Sequence, residues 1–166
     1  MVEKQVKLIE RKKNMSIIQE HPLYMPYLMS FEKNGSPNEW IDGVNAMKAS
    51  PMVEGFYQVA PIIVKVREVT SSQFHFIYYM PVVTEPSDLA LSQSGFRYVD
   101  KIAVPHALMI RQANHTDDYT AAIRNLELYA HGNGYSLTGD FYMVVTEVYD
   151  AYVFDIFGEL ETGRSE

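Results

Sequence analysis

The sequence predicts an α+β fold built by tandem duplication. Two strand-helix-strand-strand units would be related by a pseudo-twofold axis, forming an antiparallel sheet with helices on one face and a ligand groove on the other. Three observations predict it. Sliding the 166-residue chain along itself by 79 positions aligns residues 20–69 with 99–148 without a gap, setting Pro26 on Pro105, Gly55 on Gly134 and Glu68-Val69 on Glu147-Val148. Each aligned stretch passes from a short apolar run through a capped helical pattern into an alternating run. Each then closes on a second alternating run after a tight turn, the signature of a hairpin.

Residues 1–15 mix charges with Val6, Leu8 and Ile9 and read as an N-terminal arm. The first repeat spans 16–83. YLMSFEK (27–33) follows Pro26 as a strand, and Ser36-Pro37 then supplies an N-cap with proline at the first helical position. That helix carries Trp40, Val44 and Met47 at helical spacing and stops before Gly55, after which IIVKVREV (62–69) and QFHFIYYMPV (73–82) form the hairpin. TEPSDLALSQSG (84–95) is a polar, turn-rich linker in which Leu89 and Leu91 could pack as a short helical turn.

The second repeat, 96–161, repeats the order. HALMIRQ (106–112) is its first strand, and Thr116 caps a helix with Asp117 and Asp118 in its first turn and Tyr119, Ile123 and Leu126 on its apolar stripe. Gly132 and Gly134 stop that helix. The Gly139-Asp140 pair breaks the next stretch, leaving FYMVVTEV (141–148) and AYVFDIFGEL (151–160) as the hairpin. The whole is expected to act as one domain with the arm attached.

Period-two alternation separates the two sheet faces. Ile62, Val64 and Val66 match Phe141, Met143 and Val145 as the face under the helices. The opposite face holds Ile63, Lys65 and Arg67 in one copy, Tyr142, Val144 and Thr146 in the other, then His75, Ile77 and Tyr79 against Val153, Asp155 and Phe157. Asp155 thus lies between an aliphatic and an aromatic residue, where a carboxylate needs either a raised pKa or a cationic partner. Glu68 and Glu147 recur at strand ends and read as solvated turn-edge residues.

Composition excludes several function classes. A net charge of −7 repels phosphate backbones, and the one basic cluster, Lys4 to Lys13, carries Glu3 and Glu10 with it, so nucleic acid is not an expected partner. The absence of cysteine removes disulfides and thiolate chemistry and fits a reducing cytoplasm. The N-terminus lacks a signal-peptide core, and no apolar run approaches the roughly 20 residues that span a bilayer. The five histidines show no ligand spacing. No metal, cofactor or catalytic residue is assigned, because phosphate loops and nucleophile elbows are absent as well. Twelve tyrosines, eight phenylalanines and one tryptophan favour a pocket.

FRYVDKIAVPHALMIRQAN, GYSLTGDFYMV and DIFGEL in the second repeat, with YYMPV in the first, resemble the GyrI-like small-molecule-binding domains, which include the effector-binding halves of multidrug-sensing bacterial transcription activators. The resemblance implies two units around a ligand groove and places Asp155 in it as the acid for cationic or polar ligands, with Asp in place of the family's Glu, Phe157 in place of Tyr and Glu159 in place of Pro. Because the fifteen N-terminal residues cannot encode a helix-turn-helix module, a stand-alone bacterial binding protein for an amphipathic cation is expected. Its ligand would be lined by Asp155, Tyr142, Tyr79, Phe157, Trp40, Ile63, Lys65, His75 and Met109.

Structural readings compete at several of these positions. Asp155 could instead close a salt bridge to Lys65 or Arg67, and Trp40 could anchor the core at its helix start, as its aligned partner Tyr119 suggests. Tyr79 and Tyr142 suit a pocket lining or ordinary sheet packing. Two alternative functions stay open. One is a hydrolase of small reactive compounds using Asp155 with Tyr142 or Tyr79, and the other is an interaction module for a protein partner such as gyrase or a secretion component.

Overall fold

Alternating residues make the strands, and two short links decide how the sheet bends. The computed structural model describes residues 17–49, 57–113 and 118–162. Eight strands form one antiparallel sheet: β1 (Ile18–Glu20), β2 (Leu23–Gly35), β3 (Ile62–Thr70), β4 (Gln73–Pro81), β5 (Arg97–Val104), β6 (Ala107–Gln112), β7 (Leu137–Val148) and β8 (Ala151–Leu160). Their order is β1-β6-β8-β7-β3-β4-β2-β5. Among the described residues the helices are α1 (Trp40–Ala49), led by a 3₁₀ turn Pro37–Glu39, then α2 (Asp88–Ser94) and α3 (Tyr119–Gly132).

His21-Pro22 alone joins β1 to β2, and Pro105-His106 alone joins β5 to β6, yet each pair lies six steps apart in the sheet. A flat sheet would separate them by about 29 Å, whereas the linking chain reaches only about 11 Å when fully extended. The sheet must therefore curl into a half-barrel. Where its edges approach, His21 N–H donates to the Ala107 carbonyl (3.0 Å). The first part of β2 pairs there with the end of β5, Leu23 on Val104 and Pro26 on Lys101.

The predicted hairpins form as β3-β4 and β7-β8. Among the described residues there are eight strands, not the expected six. β1 has three residues, too few for periodicity to register, and the apolar run around Pro105 supplies two strands at opposite sides of the sheet. The Gly139-Asp140 break is also corrected: β7 runs through it by a register shift between Leu137 and Phe141, with Gly139 at φ 90°, a conformation that costs glycine little.

Local signals set the helix ends. The Glu39 carboxylate accepts from the Ser36 backbone N–H ahead of α1. The linker forms α2, with the Ser87 hydroxyl accepting from Ala90 N–H and Gly95 left-handed at its end. Asp118 caps α3 by accepting from the Thr120 and Ala121 N–H groups (3.1 and 3.3 Å). The predicted cap at Thr116-Asp117, the stop at Gly55 and the arm 1–15 lie outside the described residues.

α1 and α3 bury Trp40, Val44, Met47, Tyr119, Ile123 and Leu126 against one face of the sheet. Trp40 meets Tyr119 edge-on (6.3 Å between ring centroids), and the Tyr119 hydroxyl donates to the Pro37 carbonyl (2.8 Å). The opposite face carries a second buried cluster that contains strand residues alone, including Leu23, Ile63, Ile102, Val104, Tyr142 and Phe157. Glu68 and Glu147 are exposed at their strand ends, as expected, and each also ties a helix to the sheet: Glu68 pairs with Arg124 of α3 (3.0 Å) and Glu147 with Lys48 of α1 (2.6 Å).

Candidate functional site

Cross-strand pairing places residues in rows across the helix-free face. One row runs Met109, Phe157, Tyr142, Lys65, Ile77, Glu32, and the next runs Arg111, Asp155, Val144, Ile63, Tyr79, Ser30, Arg97. His75 pairs with Arg67 one row further on. These rows bring together every residue predicted to line a groove except Trp40. Trp40 lies in the helix-side core instead of the groove, taking the anchor place that its alignment with Tyr119 suggests, and its ring meets Tyr119, Tyr152 and Phe154 edge-on.

The centre of this face is not an open groove. Leu23, Ile102, Val104 and Ala107, delivered by the strand crossing, bury Ile63, Tyr79, Tyr142 and Phe157. Burial pushes the Tyr142 phenol up to about 12, with the nearby carboxylates Glu159 and Asp140 adding to the shift and Arg67 opposing it. Tyr79 is also raised, chiefly by burial, against the pull of Lys65. Both phenols stay protonated at neutral pH and are not bases there.

Ion pairs occupy the polar positions. Arg111 donates Nε–H to Oδ1 (2.6 Å) and Nη2–H to Oδ2 (2.8 Å) of Asp155, so both carboxylate oxygens are held. The partner is Arg111, not the expected Lys65 or Arg67. Those two instead converge on Asp140, at 3.1 Å from Lys65 Nζ and 2.7 Å from Arg67 Nε. Lys65 Nζ also sits 5.4 Å from the Tyr142 ring centroid, covering the aromatic face with an internal cation. In both clusters the acid is the more buried partner, Asp155 at 24% against Arg111 at 64% and Asp140 at 11% against Arg67 at 52%.

An open cleft of about 410 Å³ lies beside the packed centre. Ser30, Ile77, Tyr79 and Val99 line it from the helix-free face, Phe31, Gly95 and Tyr98 close the β2 edge, and Glu32 and Arg97 supply charge. Glu32 is held at one oxygen only: Oε2 is hydrogen-bonded with His75 Nε2 (3.0 Å), while Arg97, 82% exposed, reaches Oε1 only at 3.8 Å. Ser30 donates to the Arg97 carbonyl (3.4 Å). Sequence reasoning missed Glu32, Arg97, Asp140 and Arg111. Period-two counting from β4 could not reach Glu32, because that step needs the register of β2 on β4.

Among the described residues no group of three or more His, Asp or Glu is placed to hold a metal ion, and no helix is long and apolar enough to cross a membrane. No protein-family model matches the chain, and no curated protein sequence matches it. Solved structures do resemble it. A hydrolase from Listeria innocua superposes with a TM-score of 0.57 at 7% identity over 93% of this chain and 98% of that one. The EcmrR C-terminal domain gives 0.58 at 16% identity, covering 89% and 99%. SAV2435 bound to tetraphenylphosphonium gives 0.50 at 11% identity, covering 88% and 94%. At these identities the likeness establishes a shared fold, one found in a hydrolase, in a C-terminal domain of EcmrR and in a protein bound to an organic cation.

Proposed function

We propose that this protein is a GyrI-like small-molecule-binding module that takes an amphipathic cation in the cleft between β2, β4 and β5. The observation that carries the reading is the cleft itself. It has the roughly 300–1,000 Å³ size of ligand pockets, an apolar floor at Ile77, Tyr79 and Val99, and in Glu32 a carboxylate with a loose hold on its own cation. Asp155, the acid that the family resemblance points to, is held at both oxygens by Arg111 and would have to give up that pair first. Tetraphenylphosphonium on SAV2435, a protein of the same fold, supports a cationic ligand class.

Duplication belongs to the same proposal and has its own support. Replacing each strand by the fourth before or after it turns the strand order into its own reverse. Residues 79 positions apart also take like places, Trp40 with Tyr119 and Glu68 with Glu147. A hydrolase of this fold keeps a catalytic reading in view. Against it, Asp155, the base that such a reading needs beside a tyrosine donor, is held at both oxygens by Arg111.

Thermal shift and calorimetry with tetraphenylphosphonium and smaller aromatic cations test the proposal. Binding should raise the melting temperature of the wild type. Glu32→Gln should weaken binding by about fivefold, as expected for one partly exposed charge pair, while Asp155→Asn should change it less. The proposal fails if no cation stabilises the wild type, or if Glu32→Gln binds as tightly.

A further inference from the structure

The cleft between β2, β4 and β5 carries two opposite charges that do not close on each other. Glu32 is hydrogen-bonded at Oε2 with His75 Nε2 (3.0 Å), which fixes the carboxylate and leaves Oε1 without a hydrogen bond among the described residues. Arg97 Nη1 approaches that oxygen only to 3.8 Å, beyond hydrogen-bond reach. Its guanidinium donates no hydrogen bond to any described residue, and its side chain is 82% exposed. Arg111 and Asp155, on the same face of the sheet, form a closed pair by comparison, with bonds of 2.6 and 2.8 Å to the two carboxylate oxygens.

The chain around β5 keeps the first pair open. Ser30 pairs with Arg97 at the start of β5, so the register two residues further along β2 sets Gly95 beside Glu32. Gly95 ends α2 in a left-handed conformation (φ 74°), and a Cβ built on it would meet no atom within 4 Å. The position next to Glu32 on the β5 side therefore carries no side chain. Ile77, Tyr79 and Val99 supply the apolar floor. An apolar cavity of about 150 Å³ holds one benzene ring, so the cleft, at about 410 Å³, takes a ring together with a charged head.

A ligand with a positive charge alone meets a conflict in this cleft, because its cation has to share Oε1 with Arg97 and lie next to a like charge. A carboxylate beside the ligand's ammonium removes the conflict. The ammonium then donates to Glu32 Oε1, and the carboxylate accepts from Arg97, whose planar donor fork suits it. On the basis of the cation site proposed above, on which this step rests, we infer that the ligand is a free α-amino acid with an apolar side chain, its ammonium on Glu32, its carboxylate on Arg97 and its side chain on Ile77, Tyr79 and Val99.

The test titrates the protein at pH 7 with L-phenylalanine, with phenethylamine, which lacks the carboxylate, and with 3-phenylpropionate, which lacks the ammonium, following the Ile77 and Val99 methyl groups by NMR. Phenethylamine should bind, and phenylalanine should bind about fivefold more tightly, as expected for one added, partly exposed ion pair. 3-Phenylpropionate should bind more weakly than phenylalanine, because its only charge is repelled by Glu32. Arg97→Gln, a change at an exposed side chain, should bind phenylalanine and phenethylamine alike. Phenethylamine binding with no gain for phenylalanine overturns the inference and leaves the cation site standing, as does an Arg97→Gln variant that keeps the wild-type preference. If neither phenylalanine nor phenethylamine moves Ile77 or Val99, the inference and the cation site fall together.

Discussion

Burial works to raise the pKa of the Asp140 carboxyl, and the hydrogen bonds and charges of Arg67 and Lys65 outweigh it, so the group titrates below its ordinary value. A carboxyl depressed in the folded state contributes stability that is present above its unfolded pKa, about 3.9, and is lost as the pH falls through its folded value. The stability difference between the wild type and Asp140→Asn should therefore stay flat from pH 7 to 5 and shrink below about pH 4. Urea unfolding across that range measures it. An unchanged difference at pH 3 would mean that these ion pairs contribute nothing through charge. Asp140 was legible only as half of a turn-forming pair. Its electrostatic role depends on the bulge at Gly139, which keeps β7 in the sheet and sets Asp140 facing Lys65 and Arg67.

At the scale of elements, α1 rests on β4 through a contact without a side chain on one side. A Cβ built on Gly43 would lie 2.0 Å from Cζ of Tyr78, a fully buried ring. Gly43→Ala improves helix propensity by up to about 1 kcal/mol, but it forces α1 away from the sheet, an overpacking cost of about 1–3 kcal/mol or more. The overpacking should win, and the variant should be less stable in chemical denaturation; a gain in stability would show that α1 shifts freely. The helix itself was legible from Ser36-Pro37 and the stripe of Trp40, Val44 and Met47. The need for glycine at 43 was not, because Tyr78 lies 35 positions away and the approach is set by packing between elements.

Across the whole molecule, neither half of the chain is complete alone. β6 of the second half pairs with β1 of the first, β7 pairs with β3, and β2 of the first half pairs with β5. The ion pairs cross in the same way, Lys48 with Glu147 and Arg124 with Glu68. A fragment of residues 96–162 would expose the β7 edge and half the helix-side core, surfaces that drive association. It should not behave as a folded monomer in size-exclusion chromatography and circular dichroism, and mixing it with residues 1–83 should restore helix and sheet. A monomeric fragment that unfolds cooperatively would show the two halves to be independent.

Period-two and helical spacing by themselves determined the hairpins 62–69 with 73–82 and 141–148 with 151–160, the apolar stripes of α1 and α3, and which residues share the helix-free face. Those properties depend on near neighbours in the chain, and local spacing records them. Tertiary structure alone decided that Asp155 is held by Arg111, and that Leu23, Ile102 and Val104 fill the centre and leave the opening beside Glu32. Each depends on strand order and on the curl forced by two two-residue links. No local period encodes which strand lies next to which, because that is set by the chain's need to close its edges and bury both faces of the sheet.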